Sequence, residues 1–254
     1  KQDDPAIQWL LNSADPSIRY FTLIDLLDKS NRSRDVQVAR DQILDGPRVK
    51  ALLAGQHIGK QKSKDSFGIH PGGFGVHPYK KWDGAHWRLV SLVELGVPAK
   101  EPHAMAAADQ VLQWLTSDFH RGKIKAIAGR VRRCGSQEGN ALAVCSRLGL
   151  IDDPRAQYLA RSLMAWQWPD GGWNCDKRPA AENSSFMETI LPLRALANAG
   201  AQHPRLFAHE QDFRRLAAKR DPVQQAVLDI LAERLTGGAD GTYIYRTAMA
   251  ALVG

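Results

Sequence analysis

The sequence predicts an all-α chain of about five helical hairpins that repeat roughly every 50 residues. Three observations predict it. Apolar segments ending in glycine recur as LVELG at Gly96, CSRLG at Gly149 and LANAG at Gly200, spaced 53 and 51 residues apart. Glutamines mark a second series at Gln8, Gln56, Gln113 and Gln167, spaced 48, 57 and 54, and three of the four precede a tryptophan (Trp9, Trp114, Trp168). Apolar positions follow helical rather than alternating spacing, and strand signals are nearly absent.

Each period reads as an outer helix followed by an inner one. Asp15-Pro16, Asp153-Pro154 and Asp221-Pro222 each place a capping acid before a proline at the first helical position. In DDPRAQYLARSLMAWQ the apolar residues Ala156, Leu159, Ala160, Leu163 and Met164 share one helical face. Gly96, Gly149 and Gly200 sit where left-handed helix stops belong. The second helices, WRLVSLVELG, NALAVCSRLG and ILPLRALANAG, carry few charges around their circumference, as helices buried on most sides do. Pro192, seven residues past a cap at Ser185, predicts a kink in the third of these. Ser185 and Glu188 have the spacing of a capping box, which assigns Glu188 to the helix start rather than to a site. Such hairpins must stack, in a closed α/α barrel or an open solenoid.

Composition narrows the class. The 254 residues are 44% hydrophobic, enough for one large core, and no apolar run approaches the ~20 residues that cross a bilayer. Three cysteines (Cys134, Cys145, Cys175) make no complete disulfide framework, and the first residues show no secretory signal, so a reducing, cytoplasmic setting is expected. The net charge of +7 is unevenly placed: residues 120–133, HRGKIKAIAGRVRR, hold six Lys or Arg and no acid, and KQKSK at 60–64 is a second basic stretch. These read as solvated loops or as a rim that binds anions. The first lacks the interleaved aromatics that stack bases, which makes nucleic acid an unfavoured partner.

Gln-Trp, then Asp-Gly-Gly-Trp, then a helix ending in Leu-x-x-x-Gly, resembles the repeat of the terpenoid cyclase and protein prenyltransferase superfamily. The likeness is fullest over Gln167–Gly200, partial over Gln113–Gly149 and Gln56–Gly96, and vestigial at the N-terminus. It implies a single α/α-toroid, or partly open ring, over residues 1–254, with a central cavity whose mouth is lined by the loops leading into the inner helices. The partner it implies is a hydrophobic, isoprenoid-like small molecule. The Asp-x-Asp-Asp motif of the squalene-hopene cyclases is missing, and Cys175-Asp176 is reversed and adjacent relative to the zinc-binding Asp-x-Cys of the prenyltransferases. Shared fold therefore does not carry shared chemistry.

Four loops supply the candidate site residues. Residues 70–87 offer Trp82, Asp83, His86 and Trp87; residues 132–140 offer Arg133, Cys134 and Glu138; GGWNCD offers Trp173, Cys175 and Asp176; GTYIYR offers Tyr243, Tyr245 and Arg246. Asp83 and His86, three apart, form either an acid–base pair or a cap and a packed ring. Glu138 is either an acid–base group or part of a helix start. Cys175 has three readings: a nucleophile, a zinc ligand with Asp176 and a histidine, or a packed thiol. Neither CxxC nor HxxxH spacing is present, so no metal and no cofactor is assigned. Cys145, mid-helix in an apolar run, belongs to the core, and Cys134 is a conceivable companion of Cys175. The aromatics Trp82, Trp87, Trp173, Tyr243 and Tyr245 either line a cavity or plug it, while Arg133 and Arg246 suit an anionic head. The expected function is an enzyme with acid–base chemistry at the mouth of a cavity. The rivals are a non-catalytic toroid scaffold and an enzyme acting on an acidic polysaccharide. The Gly-, His- and Lys-rich segment 57–81 is a candidate lid.

Overall fold

A computed structural model of the chain describes residues 2–56 and 72–202. The described chain is mostly helical. It divides into two compact units, Lys1–Gln110 and Val111–Gly254. No helix among the described residues is long and apolar enough to cross a membrane.

The first unit begins with α1 (Pro5–Leu11) and α2 (Pro16–Phe21), the latter continuing as a π-helical turn over Thr22–Leu26. Asp4 and Asp15 cap these helices through side-chain bonds to the N–H groups of Ala6 and Ser17, each just before a proline. Helices α3 (Arg34–Asp41) and α4 (Pro47–Leu53) follow, with a 3-10 turn at Ile43–Asp45 between them. Leu23, Val36 and Ala39 form a small buried cluster there. Helix α5 (Ala85–Glu94) buries Leu89 and Leu92 and stops at Gly96, whose φ of 83° is the left-handed stop the sequence predicts. Arg88 on α5 donates to the carbonyls of Leu52 (2.7 Å) and Ala54 (3.0 Å), satisfying the open C-terminal end of α4. The division between the units falls inside α6 (Pro102–Thr116).

In the second unit, α7 (Asp118–Arg121) leads into a two-stranded antiparallel ribbon, β1 (Lys125–Ile127) and β2 (Arg130–Arg132). This ribbon corrects the expectation of a solvated loop over 120–133. Its two-residue turn uses Ala128 (φ 50°) and Gly129 (φ 71°), both in the left-handed region a tight hairpin requires. Helix α8 (Gly135–Leu148) ends at Gly149, φ 75°, again the expected stop. Helix α9 (Pro154–Trp166) is capped by the Asp153 carboxylate and buries Ala156, Leu159, Ala160 and Leu163, four of the five positions of the predicted face. Helix α10 (Phe186–Gln202) runs straight through Gly200, so that glycine is not a stop. Pro192 lies within α10 without ending it.

The contact between α8 and α10 dominates this unit. Gly135 and Gly139, one turn apart on α8, make it close. A Cβ on Gly139 would lie 2.7 Å from the Pro192 nitrogen and 2.9 Å from the Leu191 carbonyl carbon, inside van der Waals contact. Around the crossing lies a core of Leu142, Ile151, Ala160, Leu163, Trp173, Ala195, Leu196 and Ala199.

Candidate functional site

The predicted repeat punctuation QWPDGGW builds the platform of the site. Gln167 Nε2 donates to the Gly171 carbonyl at 2.7 Å, and Trp168 and Gly171 close a turn with Pro169 at its second position. Asp170 accepts from the N–H groups of Gly172 and Ser184, tying the turn to the start of α10. The Trp173 N–H donates to Thr189 Oγ1 at 3.1 Å, and the Trp173 carbonyl accepts from the Ser185 N–H at 2.8 Å. The chain leaving Trp173 is therefore held against the first turn of α10.

Trp173 is a core residue. It is fully buried, and its indole N–H donates at 2.9 Å to the Leu163 carbonyl, one of the orphan groups at the C-terminal end of α9. Two residues on, Cys175 meets Glu188: the thiol lies 3.7 Å from Glu188 Oε1. Glu188 Oε2 accepts from the Ser136 N–H of α8 at 3.0 Å. Cys134, the residue just before α8, completes the group, and one ligand atom from each of Cys134, Cys175 and Glu188 lies within 4.8 Å of the others. Burial first, then the Cys175 thiol and the Glu188 carboxylate, push the Cys134 thiol up to about 12; the Arg133 charge pulls the other way.

Glu188 is the residue that sequence reasoning missed. Its capping-box spacing with Ser185 is present, but the Ser185 N–H is already bonded to Trp173, and the Glu188 carboxylate turns outward to Ser136 and Cys175. The only local signal pointed to the helix start.

Arg133 and Glu138 hold each other. Arg133 Nε donates to both Glu138 oxygens, at 2.9 and 3.1 Å, and Nη2 donates to Oε1 at 2.7 Å and to Gln137. Glu138 is 1% exposed, so the pair is a buried, multiply bonded ion pair. His120 Nε2 lies 2.7 Å from Arg133 Nη2 and 3.2 Å from Glu138 Oε1, accepting from the guanidinium in one tautomer and donating to the carboxylate in the other. His120 in turn packs edge-to-face against Trp114. This network fixes the residue that precedes Cys134.

Arg132 does similar work next to it. Its buried guanidinium donates to the carbonyls of Asp176 (3.2 Å) and Ala181 (2.8 Å) and lies 4.5 Å from the Trp168 ring centroid. The Trp168 indole donates back to the Val131 carbonyl at 2.9 Å, and the Arg133 N–H donates to the Asn174 carbonyl at 3.2 Å. The basic ribbon is thereby fastened to the Cys175 loop, with Lys125 exposed on it and Lys123 exposed just before it. Asp176, by contrast, is clamped by its own neighbour: both of its oxygens accept from the Arg178 side chain and Oδ1 from the Arg178 N–H. The Arg178 hydrogen bonds hold its carboxyl low, at about 2.

The remaining candidates are in the first unit. Asp83 pairs with Lys80 at 3.4 Å, at the surface. His86 is buried, in edge-to-face contact with Tyr79 and Trp87. Trp82 is 68% exposed, its ring 4.9 Å from that of Trp87, with Lys81 Nζ 5.6 Å from both. Gln56 anchors the segment before 57–71 by bonding the His103 carbonyl at 2.7 Å and the carbonyl of Gly72. Tyr243, Tyr245 and Arg246 lie outside the described residues, as does the 57–71 part of the expected lid. Cys145 is buried in α8, as its apolar run predicts. Compared with known proteins, the chain matches no family model, no curated protein and no solved structure.

Proposed function

We propose that this chain is a helical-repeat enzyme of the terpenoid cyclase and prenyltransferase type, working on an amphiphile with an apolar body and an anionic head. Its chemistry is placed at the group formed by Cys134, Cys175 and Glu188. The convergence of these three side chains from three separate segments carries the reading. Each segment leads into or opens an inner helix, which is where the repeat resemblance puts the working face. The neighbouring ribbon supplies a cationic group, Lys125, suited to an anionic head. A non-catalytic scaffold is the second reading, favoured by Trp173, which packs the core instead of being held ready for a ligand.

Thermal shift and equilibrium binding test the choice, with a prenyl diphosphate, a uronate oligomer and a short single-stranded nucleic acid compared in chelator-containing buffer. Stabilisation by the prenyl diphosphate, growing with its concentration, supports the proposal. Stabilisation by the uronate alone refutes it in favour of a glycan enzyme, and no response to any arm leaves the scaffold.

A further inference from the structure

The group of two thiols and one carboxylate has the make-up and spacing of a metal centre. Cys134 precedes α8, Cys175 follows the Trp173 tether, and Glu188 is in the first turn of α10; their ligand atoms lie within 4.8 Å of one another, and Cys175 Sγ is 3.7 Å from Glu188 Oε1. A tetrahedral ion bound to thiolate sulfur at about 2.3 Å and carboxylate oxygen at about 2.0 Å holds those atoms roughly 3.5–3.8 Å apart. One pair already has that separation, and the others need to move by no more than about an ångström to reach it.

The carboxylate is also oriented as a ligand. Glu188 Oε2 is taken by the Ser136 N–H at 3.0 Å, which leaves Oε1 toward the Cys175 thiol. Bonds of this kind to the non-ligating atom orient metal-binding groups. Arg133, whose charge acts on Cys134, is committed to Glu138, Gln137 and His120. Two sulfur donors and one carboxylate oxygen thus converge in a half-buried site, the donor set that one divalent cation bridges. Paired thiolates select thiophilic ions over magnesium or calcium.

We infer that Cys134, Cys175 and Glu188 form a binding site for a thiophilic divalent cation of the zinc class, with the fourth position left to water or substrate. Binding releases the two thiol protons to solvent and leaves two thiolates and one carboxylate on the ion. The inference stands on this geometry; joined to the proposed function, it names the group that would activate water or polarise an anionic head.

The test uses the full chain, reduced, stripped with chelator and titrated anaerobically with cobalt(II). One cobalt per chain is expected, with sulfur-to-metal charge-transfer absorption, the visible bands of a four-coordinate ion, and release of about two protons per ion. Zinc should displace the cobalt. C134S and C175S should each remove about half of the charge-transfer intensity. E188Q should keep both thiolates and weaken binding roughly 10–100-fold. The helical circular dichroism of each variant in chelator shows that it is folded. The proton count on the unmutated chain stays decisive if a variant is not. No stoichiometric uptake by the reduced protein, a Cys134–Cys175 disulfide with no metal bound after reduction, or charge-transfer intensity undiminished in C175S would overturn the inference. Since the ligand panel runs in chelator, failure here leaves the proposed function standing, and the reverse also holds.

Discussion

Replacing Gly139 by alanine probes the crossing on which the site depends. In an ordinary helix interior, Gly→Ala adds about 1 kcal/mol of stability. Here the new Cβ would lie 2.7 Å from the Pro192 nitrogen, 2.9 Å from the Leu191 carbonyl carbon and 3.0 Å from the Pro192 Cα, all backbone atoms that cannot rotate away. Overpacking of a core costs about 1–3 kcal/mol, and rigid backbone neighbours put this site near the top of that range. The net effect is a loss of about 2 kcal/mol, which lowers the melting temperature by roughly 4–8 °C for a chain of this size. Because Glu188 is one turn before Pro192 on α10, spreading the helices also draws Glu188 Oε2 away from the Ser136 N–H. Thermal unfolding followed by circular dichroism measures the first effect, and cobalt affinity the second. A melting temperature that rises by the few degrees expected of a helix-interior alanine would refute the close approach of α8 and α10.

Other consequences can be checked in the same assay. Trp173→Phe keeps a smaller aromatic ring but orphans the Leu163 carbonyl, costing about 1–3 kcal/mol, while Trp173→Ala removes a fully buried side chain and costs about 3–5 kcal/mol. Asp153→Ala removes the α9 cap and costs about 1 kcal/mol near neutral pH. The Asp153 carboxyl is held below its ordinary 3.8 chiefly by hydrogen bonding to the Arg155 side chain, so its contribution is complete above that pH and lost as pH falls through the lower folded value. The gap between wild type and variant should therefore close below pH 3.8. Burial pushes the Cys145 thiol up to about 12, so iodoacetamide near neutral pH should label it only after unfolding.

Those parts of the fold with local causes were legible in the sequence. Asp15 and Asp153 before prolines start helices, Gly96 and Gly149 stop them, and the α9 face follows its 3.6-residue spacing. Gln167 closes the QWPDGG turn as its repeated position suggested. What was illegible depends on partners far away in sequence. Gly200 looks like Gly149, yet α10 continues through it. The β1–β2 ribbon turns at Ala128-Gly129, a weaker signal than Asn-Gly, and its strands are only three residues each. Arg132 sits in a run that reads as a solvated charge cluster, but it is buried because carbonyls at 176 and 181 converge on it. Glu188 obeys a local capping pattern whose partner N–H is bonded elsewhere. Of the residues the sequence singled out, the structure brings Cys134 and Cys175 together beside Glu188. Glu138 and Arg133 pair with each other.

Cys134 and Cys175, 41 residues apart in sequence, bring their sulfurs within 4.8 Å of each other. A trivalent arsenical such as phenylarsine oxide bridges two thiols only when both sulfurs reach one arsenic atom. Treating the reduced, metal-free protein under native conditions and mapping the adduct by mass spectrometry tests that proximity directly. One arsenical per chain is expected, bridging Cys134 and Cys175, abolished by C134S or C175S, with Cys145 untouched. Absence of a bridged adduct in the folded protein, or a bridge that includes Cys145, would contradict it.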